Sequence, residues 1–73
     1  MVYVEVQAGD GHKEYFAGVD EKTTLELCGV HSPVRHRIVS DEEIERFPFV
    51  GVVNRAVNLI RQRKNKVCLL GTD

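Results

Sequence analysis

Cys28, His31, His36 and the distant Cys68 carry the side chains best suited to holding a metal ion. Thiolate and imidazole are the ligands of four-coordinate zinc, so the identities are right. The spacing is not. Zinc knuckles place two ligands in a CxxC or HxxxH pair, because one tight turn must aim both at the same ion. Here the arrangement is Cys28-x2-His31-x4-His36, with the fourth group some thirty positions on. The expectation is no metal and no cofactor. His36 then reads as a packed histidine, Cys28 as a small strand residue and His31 as part of a turn.

Cys28 has a second use if it lies opposite Arg35. A guanidinium beside a thiol stabilises the thiolate and makes it more reactive. A nucleophilic enzyme needs a base and an oxyanion cradle as well. No histidine is placed to face Cys28, and no glycine-rich loop opens a helix beside it. Walker, GxGxxG, GxSxG and HExxH patterns are all missing, and a chain this short has little room to enclose a substrate. The expectation is a protein without catalytic residues.

The acidic groups fall in two runs, Asp20-Glu21 and Asp41-Glu42-Glu43-Glu45. A calcium loop needs oxygen ligands at alternate positions around a glycine and a closing glutamate. Asp10-Gly11 is the one Asp-Gly pair, and no such pattern surrounds it. The second run is explained as first-turn acids at the positive end of a helix. A weak Ca²⁺ or Zn²⁺ contact between the two runs is a minor alternative.

Arg35, Arg37, Arg55, Arg61, Arg63, Lys64 and Lys66 form the set suited to an anionic partner. Arginines and lysines spaced this way can track phosphates, and Tyr3 with Phe16 on an outward strand face offers stacking surface for bases. Against this, Glu5 and Glu26 share that face, and the glycine–aromatic pattern of RNA-binding sheets is missing. Nucleic-acid binding through the basic end of the long helix is therefore the second reading. Residues 1–33 carry six acids and two bases, residues 34–73 five acids and eight bases. A chain polarised this way can stack head to tail or offer its basic end to an acidic partner.

The elements that must position these groups follow from periodicity. Val2, Val4 and Val6 alternate with polar residues, Gly9-Asp10-Gly11 supplies a turn, and Glu14 to Val19 returns as a second strand. Asp20 to Thr24 reads as a polar turn. Leu25–Val30 and Val34–Val39 read as a further hairpin around His31-Ser32-Pro33. In the register that burial selects, Leu27 pairs with His36, Leu25 with Ile38, Glu26 with Arg37 and Cys28 with Arg35. Cys28 then points outward and His36 inward.

Ser40-Asp41-Glu42-Glu43 has the spacing of a capping box. After Pro48, apolar residues from Phe49 to Ile60 recur every three or four positions, and Arg61, Arg63, Lys64 and Lys66 crowd the end of that helix. Val67 to Leu70 reads as a central or well-covered strand, and Gly71-Thr72-Asp73 as a frayed end. The order ββββααβ predicts one α+β domain over residues 1–73. Its architecture is a two-layer sandwich, a mainly antiparallel sheet with one long amphipathic helix on one face.

Seventy-three residues make one small domain with a marginal core. A net charge of −1 gives no general attraction to phosphate or lipid. No apolar run approaches the roughly 18 residues of a membrane span, and no signal-peptide pattern opens the chain. Two cysteines 40 positions apart suit a reduced, cytoplasmic protein, although a Cys28–Cys68 bridge is compatible with two strands that meet. The leading expectation is a small non-catalytic interaction or regulatory domain. It works with a protein partner, itself as a dimer or a larger assembly, and not at a membrane.

Overall fold

In a computed structural model the described residues are 1–7, 9–28, 35–48 and 50–72, with the backbone alone at Val50. The first hairpin forms as the alternation predicts. Strand β1 (Val2–Gln7) pairs antiparallel with β2 (Lys13–Gly18), Val2 opposite Gly18 and Gln7 opposite Lys13. Gly11, in the turn between them, takes a φ of 92°, which glycine alone adopts without strain.

The next segment departs from its alternating pattern. Glu21–Leu27 is a helix, α1, where the sequence predicts a turn and the start of a strand. Asp20 is its N-cap, and the carboxylate accepts the Thr23 N–H at 2.7 Å. Packing supplies the rest. Thr24 is fully buried directly over Gly18, where an added Cβ would sit 1.7 Å from the threonine hydroxyl oxygen. The alternation of Leu25 and Leu27, which suits a strand, gives way to a helix seated on a bare patch of sheet.

With Leu25 to Leu27 in a helix, the expected second hairpin and its register do not exist. Strand β3 (Arg35–Val39) instead pairs antiparallel with β1, setting Val4 opposite Ile38, Glu5 opposite Arg37 and Val6 opposite His36. The opposite-charge pairing expected between Glu26 and Arg37 is met here by Glu5 and Arg37. Val30, His31, Pro33 and Val34 lie outside the described residues.

Ser40 caps helix α2 (Asp41–Glu45), its hydroxyl accepting the Glu43 N–H at 3.2 Å. The Glu43 carboxylate, expected to reach back to Ser40, is engaged by Arg37. Beyond Pro48 runs helix α3 (Val50–Arg61). It closes with a Schellman turn: Arg63 N–H donates to Ile60 O and Lys64 N–H to Leu59 O, both at 3.0 Å, while Arg63 takes a φ of 59°. Strand β4 (Val67–Thr72) then pairs with β2 and continues through Gly71 and Thr72, which the sequence predicts as frayed.

The sheet order is β3-β1-β2-β4, antiparallel throughout. The α+β class holds, but the two-layer picture with one helix does not, because helices lie on both faces. Tyr15, Ala17, Val39 and Leu70 on one face pack with Ile44 of α2 and with Val53, Ala56 and Ile60 of α3. Phe47 meets the Tyr15 ring edge-on at 4.8 Å between centroids. Tyr3, expected to face outward, packs against this cluster. The opposite face carries Val4, fully buried, and the glycine that receives α1.

Candidate functional site

The seven basic residues separate into three places. Arg37, on β3, is held by two carboxylates: its guanidinium donates to Glu5 at 3.0 Å and to both oxygens of Glu43 at 2.9 and 3.2 Å. Glu5 is buried, so Arg37 and the nearby Lys13 ammonium, 4.0 Å away, compensate its charge. These hydrogen bonds raise the Arg37 pKa further and draw that of Glu43 below the usual carboxylate range. Arg37 is thereby committed to holding α2 against the sheet. Arg35 lies on the same strand, exposed beside a shallow hollow lined by Glu5, Gln7, His36 and Arg37.

Arg61, Arg63, Lys64 and Lys66 come together in and after the last turn of α3, all exposed. Arg55 projects from the middle of the same helix. Arg35 and Arg37 stand on β3 and the other five on α3 or in the turn after it, so the seven do not share one element. The aromatic platform does not assemble either. Burial is the main cause that raises the Tyr3 pKa, with the Asp41 charge adding and Arg61 opposing.

The structure also shows where the charge gradient is concentrated. From Arg46 to Thr72 the chain has six bases and no Asp or Glu, whereas residues 1–45 hold ten acids and four bases. The basic stretch contains α3, its closing turn and β4. Between α3 and β4 lies a groove of about 340 Å³ lined by Val52, Arg55, Ala56, Leu59, Asn65, Val67, Cys68 and Leu69. The Cys68 thiol within it accepts the Asn65 amide at 3.5 Å and donates to the Ala56 carbonyl at 4.0 Å.

Strand β4 forms one side of this groove and is an edge, not the central strand expected from its apolar run. It carries no charged residue, and Leu69 is 53% exposed. Natural edges are usually blunted by charge or proline. The other edge, β3, is blunted in that way by exposed Arg35, His36 and Arg37.

Compared with known protein families, curated proteins and solved structures, the chain matches none.

The remaining chemistry-bearing groups are dispersed. Cys28 ends α1, its thiol donating to the Leu25 carbonyl at 3.6 Å, and it does not sit opposite Arg35, which pairs with Gln7. Cys28 and Cys68 are not joined by a disulfide. His36 is exposed on β3, with two strands between it and the strand of Cys68, rather than turned inward. His31 lies outside the described residues. Among the described residues no three His, Cys, Asp or Glu side chains converge as metal ligands, and no helix is long and apolar enough to cross a membrane.

One cluster escaped the sequence reading. In the first hairpin turn His12 Nδ1 contacts the Asp10 carboxylate and Nε2 lies 3.4 Å from Glu14. The hydrogen bond to Asp10, chiefly, raises the His12 pKa, and His12 lowers that of Asp10. The signal was the i, i+2, i+4 spacing of Asp10, His12 and Glu14 across a glycine turn. All three are exposed or half-exposed, so the cluster pins the turn and encloses no substrate space.

Proposed function

We propose that this chain is a small, non-catalytic interaction domain that acts as a homo-oligomer, in its simplest form a dimer. The observation that carries this reading is a row of apolar side chains across the α1 face: Ile38, Val4, Phe16 and Leu69, one from each strand. The row is covered unequally. Val4 is fully buried, whereas Ile38 stays 47% and Leu69 53% exposed, as do Val19 and the Leu27 of α1 to a similar extent. A two-fold axis buries such a surface economically, since the same patch serves on both copies. Sedimentation equilibrium over a roughly tenfold concentration range centred near tens of micromolar tests it, a regime that resolves weak dimers. A mass above one chain, reduced in Ile38→Lys, is expected. A monomer at every concentration removes the reading.

A second reading, an RNA- or DNA-binding module, rests on the exposed turn of Arg61, Arg63, Lys64 and Lys66 and on the acid-free stretch around it. Retention on a polyanion resin separates the two. Phosphate tracking by several bases weakens steeply as salt rises, whereas a protein-interaction domain of net charge −1 elutes early.

A further inference from the structure

We propose that the free edge of β4, with the groove beside it, takes an extended acidic segment of a partner protein as a fifth strand. The edge and groove share Leu69 with the self-association row but present it through the backbone of β4, on the α3 side, rather than through the α1 face. Its first support is the edge itself. Beyond β4 no described strand pairs, so its outward N–H and C=O groups are available to a further strand. The ladder to β2 is regular over Val67, Cys68 and Leu69 and bulges only after that, leaving Leu70 without an opposite residue. The regular half is the half that lines the groove.

The second support is shape. Strand addition draws affinity from the backbone and selectivity from pockets for alternate side chains. Here Val52, Ala56 and Leu59 of α3 face Val67 and Cys68 across the groove, so every second side chain of an added strand meets an apolar wall. Such side chains should be small to medium in size and apolar.

Charge fixes the class of partner. Among the described residues Arg55 is the one charged residue lining the groove, and exposed Lys64 and Lys66 flank its lining residue Asn65 in the chain. With one base and no acid in its described lining, the groove favours an acidic peptide over a basic one. A second copy is a poor occupant for the same reason, because pairing β4 with β4 adds a second Arg55 and a strand without any acid to complement the first. Nucleic acid is disfavoured here because, among the described residues, the lining is apolar apart from Arg55 and Asn65 and includes no aromatic side chain for stacking.

The test uses a fluorescein-labelled peptide alternating glutamate and valine over seven residues, acetylated and amidated at its ends, and its lysine–valine counterpart. Fluorescence anisotropy on the full chain should give saturable binding of the acidic peptide in the range of about 10–100 μM and at least about tenfold weaker binding of the basic one. Arg55→Glu should weaken the acidic peptide about tenfold, while Arg35→Glu on β3 should leave it unchanged. With wild-type protein, amide resonances of Val67 to Leu69 should shift and gain exchange protection on binding. This mapping decides the matter even if Arg55→Glu fails to fold. Equal affinity for both peptides, indifference to Arg55→Glu, or shifts confined to β3 or to the basic turn would overturn the proposal. So would a single-stranded oligonucleotide that displaces the peptide at lower concentration.

Discussion

Replacing Gly18 with alanine tests the least expected element, helix α1. The new Cβ would lie 1.7 Å from Thr24 Oγ1, 2.8 Å from its Cβ and 3.0 Å from its Cγ2. Rotating the threonine relieves the first and third contacts but not the second, because Thr24 Cβ is fixed by the helix backbone. The helix must therefore back away from the sheet and loosen the cover over Val4, which is 0% exposed. Overpacking of this kind costs about 2–3 kcal/mol, a large share of the roughly 4–11 kcal/mol expected for 73 residues. At about 4–8 °C per kcal/mol for a domain of this size, the melting midpoint should fall by about 10–20 °C. Urea and thermal denaturation would be run on Gly18→Ala, Thr24→Ala and the double variant. Thr24→Ala alone loses the hydrogen bond from its hydroxyl to the Asp20 carbonyl, 2.5 Å long. The double variant should cost less than the sum of the singles by about 1 kcal/mol, since the two side chains compete for one space. An unchanged midpoint for Gly18→Ala, or strict additivity, would refute the seating of α1. Had residues 25–30 formed a strand, alanine at position 18 would be tolerated.

Ser40→Ala should lower stability by about 1 kcal/mol in urea denaturation, because the Glu43 N–H loses its cap. Ile60→Asp, or Val53→Asp, should abolish cooperative melting, each setting a carboxylate among apolar neighbours in the core at a cost of several kcal/mol. Arg63→Asp, on an exposed residue, should retain native circular dichroism. By nuclear magnetic resonance, His12 should titrate above the ordinary histidine value of about 6.5. Its raised pKa contributes stability that is complete below that ordinary value and is lost as pH rises through the folded value. Asp10, depressed by the same contact, contributes stability above the ordinary carboxylate range that is lost as pH falls through its own lowered value. Asp10→Asn should return His12 toward 6.5, and a midpoint that does not move would remove the pair.

Local signals were legible where one interaction decides the structure. The Val2–Val4–Val6 alternation with its glycine turn, the Ser40 cap and the three-to-four spacing of α3 each specify an element without help from the rest of the chain. The failure at Leu25–Val30 has a particular cause. Leu25 and Leu27 alternate as in a strand, and Thr23 and Thr24 are poor helix formers. The deciding contact, Thr24 on Gly18, is tertiary, although Asp20 already offered a cap. A strand in place of α1 would take β3 as its neighbour, and that is why alternation alone assigns Cys28, Arg35 and Arg37 partners they do not have. The position of β4 at an edge was illegible for a similar reason. An apolar run reports that a strand is covered by something, and the groove-forming helix supplies enough cover to permit the run without burying it on both sides.

The order β3-β1-β2-β4 also bears on how the chain reaches this state. Among the described strands the central pair is the one joined by a short local turn, so it can close within microseconds once its residues exist, and it precedes β3 and β4 in the chain. Everything else docks onto it from either side. β3 returns to β1 across about thirty residues, and β4 returns to β2 across about fifty, so closure slows from the inside outward. On a ribosome that delivers the chain from its N-terminus, β2 therefore shows an open flank until β4 has emerged. During that interval the flank is the part of the nascent domain most exposed to mispairing, and a chaperone that shields strands rather than apolar faces would have its longest opportunity there.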